Sequence, residues 1–237
     1  LVNSNPTLHQ LTSMARQWFP DLRDEDRAQL LASARPRCLA AGERLFSRGE
    51  PPDGLFGVEE GIVRVSGLSP QGRESVLDFY GKDSWFGEVA SLSHLHRLHY
   101  ADAYVPTRIL HVEQHTLDDL IQTSPSIGRA FLRLGSLRLG ALLVALEQYS
   151  TQTLETRLAS RLMMLASTFG SDSAIGVHID LRLPQETLAL LIGSTRQRVN
   201  QLLKVWEERG VIQHRYGRIL LRDRRSLEAL AGESFSA

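Results

Sequence analysis

Over residues 126–148 the chain gathers Ile127, Phe131, Leu132, Leu134, Leu137, Leu139, Leu142, Leu143, Val144 and Leu146, with few charges among them. On a helix these side chains spread around nearly the whole circumference, and such a helix needs cover from more than one direction. One small domain covers one side. The other side predicts a second copy of the same helix across a twofold axis, or else a further layer inside a monomer. Gly128, Gly135 and Gly140 lower helix propensity, although small residues also let helices approach closely.

Residues 1–38 read as helical: Leu8, Leu11 and Ala15 fall at helical spacing, and Asp24, Glu25 and Asp26 form an acidic first turn ahead of Leu30 and Leu31. From Gly42 the rhythm changes. Short apolar runs alternate with glycines, among them Gly49, Gly54, Gly57, Gly61, Gly81 and Gly87, and Ile62-Val63-Arg64-Val65 alternates as a strand does. This pattern predicts a small all-β unit ending near Val112. Beyond the long helix, residues 149–153 make a polar break suited to a hinge, and residues 154–168 read as another helix. Ser171-Asp172-Ser173 reads as a loop and Val177-His178-Ile179-Asp180-Leu181 as a short strand.

Residues 184–204 carry the most specific signal. Pro184 suits a first helical turn, where its missing N–H has no partner to lose. Leu188, Ala189 and Leu191 give one helix a core face, Gly193 permits a tight turn, and Val199, Leu202 and Leu203 give the next helix its own. Two helices joined in this way make a helix-turn-helix. The outward face carries Thr195, Arg196, Gln197, Asn200 and Gln201, with Gln185 at the start of the first helix. Arg pairs with guanine O6 and N7, and Gln or Asn with adenine N6 and N7, so these are the candidate base readers. The Thr195 hydroxyl and the helix N-terminus suit a backbone phosphate. Trp206 and Val211 are expected to pack the scaffold. Residues 212–220 read as two strands around a glycine turn, a wing whose Arg215 and Arg218 would lie along phosphates.

Basic and acidic residues number 27 each, a balance that alone argues against a nucleic-acid partner. The distribution is uneven: residues 154–237 hold 12 basic side chains against 9 acidic, and the preceding part 15 against 18. Only two of the 27 are lysine. A guanidinium fork suits phosphates and base edges better than a point charge does, although a coding bias would give the same excess. The sole cysteine, Cys38, makes no internal disulfide and cannot by itself supply an iron–sulfur site, which fits a reducing cytosol. With no apolar run near the ~18 residues of a bilayer span and no leader pattern, a soluble, unexported protein is expected.

Other groups mimic catalytic or metal sites. His94, His96, His99, His111 and His115 cluster in sequence, and His94 with His96 would share one strand face, yet no Cys, Asp or Glu completes a ligand set. They are read as structural, with haem or metal binding as the alternative. Asp21, Asp24, Glu25 and Asp26, like Glu59 and Glu60, fall in solvated turns rather than in a catalytic pair. No P-loop, nucleophile elbow or HExxH motif occurs, so no enzyme is expected.

Over about residues 22–230 the sequence resembles the CRP/FNR family of bacterial transcription regulators. Gly42-Glu43-Arg44-Leu45-Phe46, Gly49-Glu50, Phe56, Val58, Gly61 and Arg64-Val65 follow that family's β-roll. Phe86-Gly87-Glu88-Val89-Ala90 is similar to its phosphate-binding cassette. Ile192-Gly193-Ser194-Thr195-Arg196, Val199-Asn200, Leu203 and Glu208-Arg209-Gly210-Val211-Ile212 resemble its DNA-binding half. The resemblance implies an α+β fold: a β-roll of the cyclic-nucleotide-binding jelly-roll kind with N-terminal helices over 1–124, a dimerisation helix and hinge over 125–150, and a winged helix-turn-helix over 151–237. It further implies a cytoplasmic homodimer acting on near-palindromic double-stranded DNA with RNA polymerase as partner, switched by an effector in each β-roll.

Departures from the family pattern bear on that effector. The resemblance places the effector at Gly87, Glu88, Val89, Arg97, Leu98, Leu142 and Leu143. Where a cyclic-nucleotide cassette carries Arg-Ser or Arg-Thr, this chain has Arg97-Leu98, and Leu142 and Leu143 replace the polar pair that commonly faces the purine. Gly87 amides and Arg97 could still take a phosphate. The expected effector is therefore not ordinary cyclic AMP; a cyclic dinucleotide, another cyclic nucleotide, a hydrophobic signal or no ligand all remain open. Arg196-Gln197 stands where many relatives have Arg-Glu, and Gln201 where they have a second Arg, so a different half-site is expected. Two other classes stay in view: a cyclic-nucleotide or cyclic-dinucleotide module acting on a protein partner, and a cupin-like metal enzyme.

Overall fold

The computed structural model describes residues 6–16, 19 and 22–232. Asp21 and the outer ends of the 1–124 and 151–237 segments lie outside the described residues. The chain forms two compact units, Met14–Leu139 and Gly140–Ala237, the second taking in the N-terminal residues up to Ser13. Helix α1 (Leu8–Arg16) opens the chain and α2 (Asp24–Ala32) follows.

In the first unit, β1 (Arg35–Leu39), β2 (Arg44–Phe46), β3 (Gly54–Glu60), β4 (Val63–Leu68), β5 (Glu74–Tyr80), β6 (Trp85–Phe86), β7 (Tyr100–Ala103) and β8 (Thr107–Glu113) make two antiparallel sheets. Their orders are β1-β8-β3-β6 and β2-β7-β4-β5. The helical reading of residues 1–38 fails at its end, because β1 pairs with β8 from Arg35 opposite His111 to Leu39 opposite Thr107. Pro36 explains the change: proline breaks a helix interior but is tolerated on an edge strand. Strand β3 is covered on both faces. Leu55 joins Trp85, Val112, Leu117, Ile127, Phe131 and Leu134 in a helix-covered cluster, while Phe56 and Val58 lie with Phe46, Val63, Phe86 and Ile109 in a second. Double burial makes its sequence a continuous apolar run rather than an alternation. A Cβ at Gly57 would come within 2.7 Å of the Trp85 ring, so the indole lies against the strand only because that side chain is missing.

Helices α3 (Glu88–Ser93), α4 (Gln114–Thr123) and α5 (Pro125–Thr151) follow. Asp26 fastens α2 to the α4–α5 corner: it accepts from Arg23 Nε at 2.9 Å and from the Ser124 and Ser126 hydroxyls at 2.5 Å each. These donors, Arg23 first, hold its carboxyl far below the usual carboxylate range. Helix α5 buries Ile127, Phe131 and Leu134 but leaves Leu132, Leu139, Leu142, Leu143 and Leu146 between 58% and 73% exposed. The row recurs at heptad spacing, 132–139–146, with 142 and 143 between. Because α5 runs unbroken to Thr151, the polar break expected over 149–153 shrinks to Gln152 and Thr153, and Thr153 caps α6 (Leu154–Phe169) by accepting from the Thr156 N–H.

In the second unit, β9 (Gly170–Ser173), β10 (Gly176–Ile179), β11 (Ile212–Arg215) and β12 (Arg218–Leu221) form an antiparallel sheet ordered β11-β12-β10-β9. The segment read as a loop at 171–173 is the edge strand β9. All its side chains are exposed, so it is held by main-chain pairing and carries no apolar signature. Helices α7 (Gln185–Ile192), α8 (Arg196–Glu208) and α9 (Arg224–Leu230) complete the unit.

Candidate functional site

Two places in the described residues carry functional chemistry, one in each unit. In the second unit, Leu188, Ala189, Leu191 and Ile192 seat α7, and Val199, Leu203 and Trp206 seat α8. The Trp206 indole N–H donates to Glu155 at 2.9 Å, so the packed face is also satisfied in its hydrogen bonds. Val211 is buried, as expected of scaffold. Gly193 turns the chain with φ +62°, and the Ser194 N–H returns to the Ala189 carbonyl at 2.9 Å. A Cβ at Gly193 would meet the Tyr149 hydroxyl at 2.6 Å, so the end of α5 touches this turn. Thr195 caps α8, its hydroxyl accepting from the Arg198 N–H at 3.3 Å.

With one face of α8 pinned inward, Thr195, Arg196, Gln197 and Gln201 are left outward on the other. Gln185 and Asn200 differ from this set. Both are half-buried, and Gln185 Nε2 donates to Asn200 Oδ1 at 2.8 Å, so Gln185 keeps Oε1 and one N–H, and Asn200 keeps Nδ2 and one lone pair, for outside partners. Arg215 and Arg218 are exposed at facing positions of the β11–β12 hairpin. The arrangement presents guanidinium and amide groups from a rigid helix beside a basic hairpin, which is the chemistry of a duplex groove and its flanking phosphates.

In the first unit, Gly87, Glu88, Val89, Arg97 and Leu98 do converge. With Phe46, Val65, Tyr80, Phe86, Ala90 and His99 they line a cavity of about 110 Å³. Leu142 and Leu143, expected beside them, fall in the other unit with exposed side chains. Aromatic rings line much of the cavity: Tyr80 stacks on Phe86 at 4.8 Å, and Phe46 lies 6.3 Å from Phe86. Arg97 is only 2% exposed. Its guanidinium donates to the Asp53 carboxylate at 2.5 Å, to the Gly54 carbonyl at 2.8 Å and to the Gly87 carbonyl at 3.0 Å, and it lies over the Phe46 ring at 4.5 Å. Leu98 supplies no hydroxyl beside it. Glu88 is buried and paired with Arg138 of α5, whose guanidinium also donates to the Trp85 carbonyl at 2.8 Å and lies over the Tyr80 ring at 5.5 Å. Burial pushes the Tyr80 hydroxyl up to about 12. Arg97 and Glu88 are thus each paired to an opposite charge within the protein.

Sequence reasoning missed both neutralising partners. Arg138 had a visible signal, a charge inside an apolar helical stretch. Asp53 had none, being 44 positions from Arg97. The histidines do not assemble. His94 and His96 sit in the turn and loop after α3, not on a strand face; His111 stacks on Phe56 at 4.7 Å and approaches the Asp53 carbonyl at 3.0 Å. Among the described residues no group of three or more His, Cys, Asp or Glu could hold a metal ion, and no helix is long and apolar enough to cross a membrane.

Comparison with known proteins gives both units counterparts. Residues 36–124 match the cyclic nucleotide-binding domain family, and residues 156–230 match the Crp-like helix-turn-helix domain family. A CRP-like cAMP-activated global transcriptional regulator of Mycobacterium tuberculosis is 28% identical over 83% of this chain and 88% of its own length. A global nitrogen regulator of Nostoc is 28% identical over 78% of this chain and 85% of its own. Among solved structures, a CRP-family transcriptional regulator from Thermus thermophilus superposes with a TM-score of 0.68 at 26% identity, covering 83% of this chain and 96% of that one.

Proposed function

Since the chain belongs to the CRP/FNR family, and is a DNA-binding transcription regulator with a cyclic nucleotide-binding domain rather than an enzyme, we propose that it acts in the cytoplasm as a homodimer on a near-palindromic duplex site. RNA polymerase is the expected partner there. The carrying observation is the outward face of α8, where Thr195, Arg196, Gln197 and Gln201 stand over a fully packed scaffold. In the proposed complex Arg196 reads guanine, Gln197 and Gln201 read adenine, Thr195 and Gln185 hold phosphates, Asn200 adds its Nδ2 donors, and Arg215 and Arg218 follow the backbone. The leucine row on α5 supports dimerisation: five large apolar side chains more than half exposed along one helix fit a coiled-coil-like seam with a second copy.

The effector of this reading is not ordinary cyclic AMP. Arg97 is tied to Asp53 and two carbonyls, and the cavity of about 110 Å³ is well below the ~300 Å³ of the smaller drug-sized sites. Its aromatic lining suits a compact apolar ligand, or a dimer competent without one. The test has two parts. Light scattering of the purified chain should give twice the monomer mass of 26.5 kDa. Binding to a duplex enriched from a random pool should weaken steeply with salt, as phosphate contacts release counterions. A monomer, or salt-independent binding, overturns the proposal.

A further inference from the structure

Three arginines that belong to neither the reading face nor the aromatic cavity gather around the first turns of α5. That helix turns Ile127, Phe131 and Leu134 into the core, so Ser126, Arg129, Ala130 and Arg133, spaced three and four apart, share a neighbouring side. Leu22, Arg23 and Asp26 approach this side from the start of α2, and together these residues line a cavity of about 200 Å³. It shares no residue with the aromatic cavity and lies wholly within the Met14–Leu139 unit.

The cavity carries a preset cation. Arg23 donates from Nε to Asp26 at 2.9 Å, and from Nη2 to Asp26 at 3.2 Å and to the Ser126 hydroxyl at 2.8 Å. These bonds fix the plane of the guanidinium while its Nη1 N–H groups remain for an outside partner. Asp26 is buried and already accepts from Arg23, Ser124 and Ser126. On the same helix Asp24 is paired with Arg27 at 2.5 Å, and Glu25 is exposed and outside the lining. Arg129 is exposed and has no ion-pair partner among the described residues. Arg133 brings a like charge to the same cavity one turn on. Like charges at this spacing weaken a helix, so helix stability does not account for the pair.

We infer that this cavity binds a small oxyanion, its oxygens bridging the Arg23 and Arg129 guanidinium groups with Arg133 beside them. A guanidinium fork bonds two oxygens of one carboxylate or phosphate at once, and holding Arg23 in place beforehand lowers the ordering cost of binding. Leu22 and Ala130 supply an apolar floor. The volume, below the ~300 Å³ of the smaller drug-sized sites, restricts the ligand to a small one. Bound there, it ties the residue ahead of α2 to the first turns of α5, and by linkage it stabilises the fold. The inference does not depend on the duplex-binding reading.

The experiment is titration calorimetry on the full chain at constant ionic strength, in a buffer free of phosphate and carboxylate, with sodium phosphate and sodium succinate as probes and sodium chloride as the blank. One site per chain should saturate with at least one of the two probes, and the tighter of the two names the source as phosphate or carboxylate. Arg129→Ala should weaken that binding about tenfold, the worth of one charge-assisted bond. Its thermal midpoint without added anion should match the native one, since Arg129 is exposed and the Arg23–Asp26 pair is kept. Arg73→Ala, at an exposed arginine between β4 and β5, should bind as the native chain does. If neither probe gives saturable heat beyond chloride, or if Arg73→Ala weakens binding as much as Arg129→Ala, the inference is wrong, and the duplex-binding reading is untouched by either result.

Discussion

On the proposal that Asp53 withholds Arg97 from a ligand, freeing Arg97 should raise the affinity for cyclic AMP. The guanidinium is held by a carboxylate that is itself 52% exposed, so Asp53→Asn removes a charge-assisted bond whose net worth lies near the low end of its range, about 1.5 kcal/mol. Leu98→Ser, at a half-exposed side chain, supplies the missing hydroxyl for another ~1.5 kcal/mol toward a bound phosphate. The two together are worth about 3 kcal/mol, or roughly 100-fold in affinity. Titration calorimetry with cyclic AMP on the full chain reads this directly. Each single variant should bind about tenfold tighter than native and the double variant roughly 100-fold tighter. Thermal unfolding should show intact folds, since Arg97 keeps its bonds to the Gly54 and Gly87 carbonyls. If the native chain already binds cyclic AMP as tightly as the double variant, the premise that Asp53 withholds Arg97 is refuted.

Other consequences can be checked separately. Arg196→Ala should cost about 1–3 kcal/mol on the enriched duplex and relax preference at one base pair, whereas Arg218→Ala should weaken all sequences alike and lower the salt slope by about 1; identical behaviour in binding selections would undo the division between reader and wing. Leu142→Glu with Leu146→Glu places carboxylates in the α5 row and should leave monomers by light scattering, with duplex affinity falling as the second half-site is lost. Asp26→Asn should destabilise the chain by about 2 kcal/mol near neutral pH in urea unfolding. Because the Asp26 carboxyl is depressed in the folded state, its contribution is present above the ordinary carboxylate range and is lost as pH falls below about 4, so the native and variant stability curves should converge in acid.

The parts of this molecule legible in its sequence are those fixed by neighbours a few residues apart. Val199, Leu203 and Trp206 recur at helical spacing, and with Gly193 they specify the turn, the orientation of α8 and hence the outward Arg196–Gln197 face. The β-strands of the first unit and the long helix α5 were legible for the same reason, since the glycine-punctuated strands and the apolar helix are each periodic. What stayed hidden depends on distant partners or on backbone alone. Gln185 and Asn200 present themselves as two independent readers until the fold bonds one to the other. Arg97 was legible as a buried-site cation, but its engagement by Asp53 depends on a residue 44 positions away. Strand β9 has no buried side chain to announce it, and β1 was taken into the preceding helices because Arg35 to Leu39 alternate too weakly to declare an edge strand.

The pairing of Glu88 with Arg138 makes the cavity wall and the root of α5 one mechanical piece. A ligand that drew the Glu88 carboxylate to itself would leave the Arg138 guanidinium beside Trp85 and Tyr80 short of its ion-pair partner, a loss that a roll of the helix further toward water would lessen. Leu139, the first of the close-set leucines, comes immediately after it. In the proposed dimer that roll would reset how two such helices mesh, so a chemical event inside one barrel would be felt as a change of gearing between copies.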